Sequence, residues 1–288
     1  VFNPPASSWH INLILFLVTV LSTLLTGSFY NAETIEQAFQ IWHGWPFSLS
    51  IMLILGAHEL GHYFAARHHK VAVTLPYFIP LPIISLIGTL GAFIRMKEPV
   101  KNKRALFDLG VAGQLAGLVF AVPILFYGLA TSEIGPISSV GLLEGNSILY
   151  YLAKFAIFGQ FLPSETSDVY LNQVAWAGWV GLLVTALNLM PVGQLDGGHI
   201  VFALLGDRAK QLFTPIIIIL VALTLVSFLI YNTFTWVIWF LLLFFFGLVH
   251  AEPLDEVTSI DSHRRWLAIA TMIIFVLIFA PIPWRMLG

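Results

Sequence analysis

The sequence has no cysteine and few charged residues. Disulfides and thiolate metal ligands are therefore excluded, and any metal ion must be held by His, Asp or Glu. Charged residues make up 10% of the 288 positions, against about 25% in a soluble domain, while 58% are hydrophobic. The formal net charge of -2 provides no basic surface for nucleic acid. These features predict an integral membrane protein that lies in a lipid bilayer and does not bind nucleic acid.

Seven stretches are apolar and long enough to cross a bilayer, which takes about 20 helical residues. They are 10–29, 47–66, 106–130, 170–190, 213–231, 234–250 and 266–283. With seven crossings, every loop rich in Lys and Arg falls on one side, which the positive-inside rule assigns to the cytoplasm. An additional crossing at 147–162 would break this pattern. That short apolar stretch, with Lys154 at its middle, is therefore predicted to be an interfacial helix or a shallow re-entrant segment.

Residues 71–100 show a different pattern. The run from Val71 to Phe93 is apolar, but prolines and glycines interrupt it, and proline breaks helix interiors. Non-helical backbone at membrane depth is tolerated only where it is buried in protein or lines a cavity. We predict a short membrane-associated β-hairpin or re-entrant segment near 71–100. This segment is expected to line a cavity that holds a metal ion.

The predicted fold class is an all-α polytopic membrane protein with six to seven transmembrane helices and this one extended element. It is predicted to be a single domain, 1–288, with a catalytic core at about 47–205 and additional C-terminal helices at 213–283.

The second apolar stretch contains His-Glu-Leu-Gly-His at 58–62 and no other charged residue. Ionisable side chains within a span cost about 2.5–3.5 kcal/mol each, so a chain that places three there is expected to use them together. His58 and His62 are four residues apart and share one helical face, from which both can reach one cation. Glu59 lies beside that face as a candidate general base. His-Glu-x-x-His on a helix is the zinc-metalloprotease signature, and it predicts a hydrolytic metal site.

Catalytic zinc has three protein ligands, so a third must come from elsewhere. The best candidate is Asp196, in the segment that closes the fourth apolar stretch. Gly197 and Gly198 permit a tight turn with the carboxylate at its apex. His199 is the rival ligand. Asp196 and His58 both fall near the cytoplasmic ends of their predicted spans, so their depths agree.

Each motif alone has an ordinary explanation. His-Glu-x-x-His arises by chance in soluble helices, and Asp-Gly-Gly is common in turns. The two motifs together, at matching depth in apolar spans, are far more specific than either part.

The two motifs together resemble those of the site-2 protease family of intramembrane zinc metalloproteases (peptidase family M50). The first is His58-Glu59-Leu60-Gly61-His62, and the second pairs Asn188 and Pro191 with Asp196-Gly197-Gly198. The intervening segments 76–80 and 88–93 are similar to the branch that cyanobacteria, plastids and other prokaryotes share, without a PDZ insert. The similarity covers about 47–205.

The resemblance implies one catalytic Zn²⁺ bound by His58, His62 and Asp196, with Glu59 as general base. It implies that Asn188 holds the substrate backbone or the oxyanion, and that the strand at 88–93 receives the substrate. The expected substrate is a single-pass transmembrane protein, cleaved in or near its membrane segment as in regulated intramembrane proteolysis. The expected location is a prokaryotic cell (inner) membrane, with the active site toward the cytoplasmic side. The oligomeric state is not predicted.

Two other functions stay open. A membrane transporter for zinc or protons also places His and Asp at mid-membrane. Against it, the motif at 58–62 supplies a base as well as ligands, and no repeat is visible in the sequence. A catalytically inactive relative would keep the fold, but the intact Glu59 argues against that alternative.

Overall fold

The computed structural model describes residues 9–30, 32, 34–82, 85–137, 141–233, 236–237, 254–255 and 258–287, and these are mostly helical. The α-helices are α1 (Trp9–Tyr30), α2 (Ile35–Ala38), α3 (Trp45–His68), α4 (Lys103–Ala130), α5 (Ile148–Phe158), α6 (Gln173–Asn188), α7 (Asp196–Leu205), α8 (Phe213–Tyr231) and α9 (Ser262–Ile278). The strands are β1 (Tyr77–Pro80), β2 (Thr89–Phe93), β3 (Glu133–Pro136), β4 (Gly141–Glu144), β5 (Ser167–Tyr170) and β6 (Trp284–Leu287). They form two-stranded sheets, β1 with β2, β3 with β5 and β4 with β6. Short 3-10 helices at Ile41–Gly44 and Gly206–Leu212 lead into α3 and α8.

Three helical ranges within the described residues are long and apolar enough to cross a membrane. They are Trp9–Tyr30, Lys103–Ala130 and Asp196–Tyr231, and they contain or overlap the predicted spans 10–29, 106–130 and 213–231. The chain is therefore an integral membrane protein with three candidate spans, and the count of six to seven stays a prediction.

The other predicted spans fall on shorter or more polar elements. The stretch 47–66 lies in the 24-residue α3, where two His and one Glu interrupt the apolar sequence. The stretch 170–190 contains α6, which has 16 residues, and the stretch 266–283 overlaps α9, which has 17. The stretch 234–250 lies outside the described residues, except for 236–237.

Helix α1 buries its polar residues and exposes its apolar ones. The buried positions are Asn12, Thr19, Ser22, Thr23, Gly27 and Ser28. By contrast, Ile14 is 59% exposed and Leu21 is 55% exposed. In water this arrangement would be reversed. In lipid, apolar surface is not driven inward and polar groups need partners within the protein, so the pattern is that of a lipid-facing helix.

The polar side of α1 holds the extended segment that follows α3. The Nδ2 atom of Asn12 donates to the carbonyl oxygens of Leu75 and Pro76, each at 2.9 Å. Further along α1, the hydroxyl of Ser22 donates to the carbonyl oxygen of Gly88, at 2.5 Å. These side chains bind backbone carbonyls of the extended segment, and irregular backbone at membrane depth needs such partners within the protein.

Strands β1 and β2 are antiparallel, with Tyr77 opposite Phe93 and Phe78 opposite Ala92. They lie in the segment 71–100, where the sequence predicts extended structure. The association of this strand pair with the membrane stays a prediction.

The internal contacts divide the chain into two compact units. The first comprises Val1–Pro99, Ala112–Glu133 and Tyr170–Leu182, and the second comprises Val100–Val111, Ile134–Val169 and Leu183–Gly288. The prediction of a single domain at 1–288 is not tested by this division.

In the first unit, four helices have ends that meet. The Nε2 atom of Gln173, which opens α6, donates to the carbonyl of His43, just before α3, at 3.0 Å. The Nδ2 atom of Asn172 donates to the hydroxyl of Thr131, just after α4, at 2.8 Å. The hydroxyl of Tyr30, the last residue of α1, donates to the backbone just before α6, at 2.8 Å. The C-terminal ends of α1 and α4 therefore lie beside the N-terminal ends of α3 and α6.

In the second unit, helix α5 occupies the apolar stretch predicted at 147–162. Its 11 residues extend about 16 Å, too short to cross a bilayer. The Lys154 side chain is fully buried, with Nζ at 3.2 Å from Oδ1 of Asp168 and 3.8 Å from Oε1 of Glu144. Burial raises the pKa of Glu144, which also accepts a hydrogen bond from Tyr150. The charge at the middle of this stretch thus lies inside the protein between two carboxylates, rather than at a lipid interface.

Candidate metal centre

Helix α3 places both histidines of the 58–62 motif inside the protein. His58, Glu59 and His62 are 6%, 5% and 8% exposed. The Nε2 atoms of the two histidines are 3.0 Å apart, and the ring planes meet at 78°. Two nitrogens that bind one tetrahedral zinc at 2.0–2.1 Å are about 3.4 Å apart, close to this separation. The predicted common face therefore exists, and both imidazoles aim at one point.

Three glycines bring α3 and α4 into close contact around these histidines. A Cβ atom at Gly61 would lie 2.5 Å from the carbonyl oxygen of Ala112 on α4. On α4, a Cβ atom at Gly113 would lie 2.1 Å from Nε2 of His62, and one at Gly117 would lie 3.3 Å from Cβ of His58. Gly61, Gly113 and Gly117 therefore permit the close packing of α3 against α4.

The glycines of α4 were not predicted to contact the histidines, although their spacing in the sequence matches. His58 and His62 are four residues apart on α3, and Gly113 and Gly117 are four apart on α4. His62 faces Gly113 and His58 faces Gly117, so each imidazole has one glycine opposite it.

In the second unit, Asp196 is the first residue of α7, and it is half-buried. The preceding turn is compact. A Cβ atom at Gly197 would lie 2.0 Å from the carbonyl oxygen of Leu189, and one at Gly198 would lie 2.4 Å from that of Gly193. The sequence predicts a tight turn with the carboxylate at its apex, whereas Asp196 opens α7 and Gly197 and Gly198 belong to the first turn of that helix. These glycines are needed because the backbone leaves no room for a side chain, whereas the positive φ of 59° falls on Gly193.

Among the described residues, His58, His62 and Asp196 form a group that could hold a metal ion. Each offers one ligand atom, and these atoms lie within 4.8 Å of one another. The group includes Asp196 rather than its rival, His199. Two imidazoles and one carboxylate are a known ligand set of catalytic zinc, so the side chains present fit that ion.

The two predicted catalytic residues are placed as follows. Glu59 follows His58 on α3 and is 5% exposed, next to the histidine face. Asn188 is the last residue of α6 and is half-buried. The catalytic roles of Glu59 and Asn188 stay predictions.

Comparison with known proteins identifies the family. The model of peptidase family M50 matches residues 46–231, well over half of the chain. The chain belongs to this family, as the resemblance predicted. No solved structure matches it.

The curated relatives include plant proteins. One from Arabidopsis thaliana, named "Probable zinc metalloprotease EGY2, chloroplastic", is 30% identical over 275 residues, covering 94% of this chain and 47% of that protein. The protein of the same name from Oryza sativa subsp. indica is 30% identical over 278 residues, covering 94% and 48%. "Probable zinc metalloprotease EGY1, chloroplastic" from Arabidopsis thaliana is 32% identical over 175 residues, covering 58% and 31%. The chain spans about half the length, or less, of these relatives.

The word "chloroplastic" in these names conflicts with the predicted location. The predicted location is a prokaryotic cell membrane, whereas the names of these relatives designate the plastid. The family and the apolar helices indicate an integral membrane protein.

Proposed function

We propose that this chain is an intramembrane zinc metalloprotease that binds one zinc ion through His58, His62 and Asp196. The observation that carries the proposal is the group of two imidazoles and a carboxylate with ligand atoms within 4.8 Å of one another. Membership of peptidase family M50 and the names of the curated relatives support it. Zinc, when bound, would supply Lewis-acid activation of water and of the scissile carbonyl.

Glu59 is proposed as the general base. Its buried carboxylate is on the same helix as the two histidines and beside their common face. In that position it would accept a proton from the attacking water and deliver it to the leaving amine. Asn188 is proposed to orient the substrate backbone or the oxyanion, which rests on the family resemblance alone.

The substrate is proposed to be a single-pass transmembrane protein that binds in an extended conformation beside β2. A helical segment hides its carbonyls in intrahelical hydrogen bonds, so it must unwind before hydrolysis. Pairing with a strand exposes the scissile bond and satisfies the unwound backbone. Strand β2 is suited to this role because Leu90 is 67% exposed and Gly91 has open space where a side chain would be. The hydrogen bonds from α1 are made to residues outside β2, at Leu75, Pro76 and Gly88, so they do not occupy the strand itself.

The proposed topology has seven spans, with the basic loops and the active site on the cytoplasmic side. Contacts within each unit support it. In the first unit, hydrogen bonds join one end each of α1, α3, α4 and α6. The proposed topology places all four of these ends on the side opposite the cytoplasm. In the second unit, β4 pairs with the C-terminal strand β6, and the proposed topology places both strands on the side opposite the cytoplasm.

The proposal is tested by Glu59→Gln, which keeps the size of the side chain and removes the base. We expect purified Glu59→Gln protein to bind zinc as the parent does. Cells that express it should accumulate membrane-protein fragments that the parent removes, as measured by proteomics of the membrane fraction. Glu36→Gln, at an exposed position of α2, makes the same chemical change away from the site and should behave as the parent. Full cleavage by Glu59→Gln would rule out Glu59 as the base.

The same variant separates the protease from a transporter. Zinc flux into vesicles that contain the protein, and that survives Glu59→Gln, would favour transport. Zinc binding without cleavage by the parent chain would favour an inactive relative.

A further inference from the structure

A bidentate ion pair joins α9 to α4 in the second unit. The guanidinium of Arg264 donates from Nε to Oδ1 of Asp108 at 2.8 Å and from Nη2 to Oδ2 at 2.6 Å. The side chains are 29% and 24% exposed. Two parallel charge-assisted hydrogen bonds fix the angle between a guanidinium and a carboxylate as well as their distance. This pair therefore sets the position of α4 relative to the start of α9.

The other side of the guanidinium is also held. Asp261 caps α9 by accepting a hydrogen bond from the backbone amide of Arg264 at 3.0 Å, and its second oxygen accepts one from Nη1. These two hydrogen bonds lower the pKa of Asp261 to about 2. Asp108, and then Asp261, raise the pKa of Arg264 above its already high value. With a carboxylate on each side, the guanidinium is fixed in the plane that meets Asp108.

Hydrogen bonds also attach the segment before α9 to the residues just before α4 and to its first turn. The backbone amide of Leu254 donates to the carbonyl of Val100, and that of Asp255 donates to the carbonyl of Lys101, both at 3.0 Å. The Nε atom of Arg104 donates to the carbonyl of Ser259 at 3.2 Å. The beginning of α4 is therefore attached to this segment at several points.

Two residues beyond Asp108, α4 contacts the backbone of Asp196. A Cβ atom at Gly110 would lie 3.0 Å from the carbonyl oxygen of Asp196 and 3.3 Å from Cβ of His199. Because there is no side chain between them, a small displacement of α4 at this point moves the first turn of α7. The carboxylate proposed as third ligand projects from that turn.

We propose that Arg264 is a positioning residue for the metal site. Through Asp108, it fixes α4 against the first turn of α7 and thereby holds Asp196 where the metal needs it. This inference rests on the proposed function, in which Asp196 is a ligand. Arg264 lies outside residues 46–231, the range that the family model matches, so the inference assigns a role in the site to the C-terminal part of the chain.

The test measures zinc affinity of the full chain by competition with a chelator, in a Glu59→Gln background so that cleavage plays no part. Arg264→Met should weaken zinc affinity by roughly tenfold to a hundredfold, the usual effect of losing a residue that orients a ligand. Arg264→Lys keeps the charge but not the bidentate geometry and should recover part of the loss. Exchanging the pair, Asp108→Arg with Arg264→Asp, should recover more than either single change. Arg265→Met, an exposed neighbour on the same helix, is the matched control and should bind as the background does.

Thermal unfolding in excess chelator separates positioning from a general loss of stability. A positioning role predicts that Arg264→Lys unfolds close to the temperature of the background when zinc is absent and still binds zinc more weakly. Unchanged zinc affinity in both Arg264→Met and Arg264→Lys, or a loss of affinity that follows only the metal-free unfolding temperature, would overturn the inference.

Asp196→Ala distinguishes an error in the positioning role of Arg264 from an error in the proposed ligand set. If Asp196→Ala loses zinc and the Arg264 variants do not, the positioning role is wrong and the ligand set stands. If Asp196→Ala binds zinc normally, the proposed ligand set is itself wrong.

Discussion

Gly113→Ala is predicted to disable the metal site by displacing one imidazole. The added methyl group would lie 2.1 Å from Nε2 of His62 and 2.4 Å from both Cδ2 and Cε1. Ordinary contact between such atoms needs about 3.5 Å, so either the ring or α4 must move by more than about 1 Å. A zinc–nitrogen bond is about 2.0–2.1 Å long, and a shift of that size takes the nitrogen out of coordination.

The size of the effect follows from two opposing terms. Replacing a helical glycine by alanine favours the helix by about 1 kcal/mol. Overpacking a tight contact costs about 1–3 kcal/mol, and the loss of one of three ligands adds to it when zinc is present. We expect zinc affinity to fall by at least about a hundredfold, or about 2.7 kcal/mol. Without zinc, the two terms leave a net loss of stability of only about 0–2 kcal/mol.

The assay is chelator competition for zinc, together with thermal unfolding with and without zinc. Gly56→Ala is the matched control, because Gly56 is a glycine of α3 with nothing within 4 Å of its added methyl group. It should bind zinc normally and should not lower stability. If Gly113→Ala binds zinc as tightly as Gly56→Ala, the contact between α4 and His62 does not control the site and the reasoning fails.

Two further predictions concern stability. Lys154→Met would leave Asp168 and Glu144 buried without their cation, and breaking such a pair costs about 3–5 kcal/mol. A clearly lower unfolding temperature is expected, whereas Lys210→Met, at a 42% exposed side chain, should shift it little; equal shifts would contradict the buried cluster. The pKa of Asp261 is lowered to about 2, so its contribution to stability is complete above the ordinary value near 3.8 and is lost as the pH falls toward 2. Asp261→Asn should lower unfolding temperature at neutral pH and flatten this part of the pH profile, and an unchanged acid profile would refute the assignment.

The sequence predicts the parts of the site that depend on residue type and local spacing. His58 and His62 share a face because four residues make slightly more than one helical turn, and that much needs no tertiary information. The extended segment near 71–100 follows from its prolines and glycines. Asp196 is a weaker inference, since Asp-Gly-Gly alone specifies only a turn. Its support came from the depth that it shares with His58 and from the family resemblance, and that depth does not separate Asp196 from His199.

The contacts that hold these elements are not visible in local sequence. Lys154 sits in an apolar stretch, where a lone charge suggests an interface. Its actual environment depends on Asp168, 14 residues later, whose strand brings a carboxylate to 3.2 Å. Arg264 and Asp108 are 156 residues apart, so no pattern along the chain pairs them. In each case the partner is selected by tertiary packing, which overrides what the neighbouring residues suggest.

The motif at 58–62 poses an energetic problem that the glycines of α4 address. Each ionisable side chain in a membrane span costs about 2.5–3.5 kcal/mol where it meets lipid. His58, Glu59 and His62 do not meet lipid, because each is at least nine-tenths buried. For the two histidines, that burial depends on α4 approaching to within contact distance of the rings, and side chains at Gly113 and Gly117 would prevent it. The same contact that removes the histidines from lipid also fixes the direction of their Nε2 atoms. Shielding and orientation of the metal ligands are thus one packing feature, and a substitution that disturbs one will disturb the other.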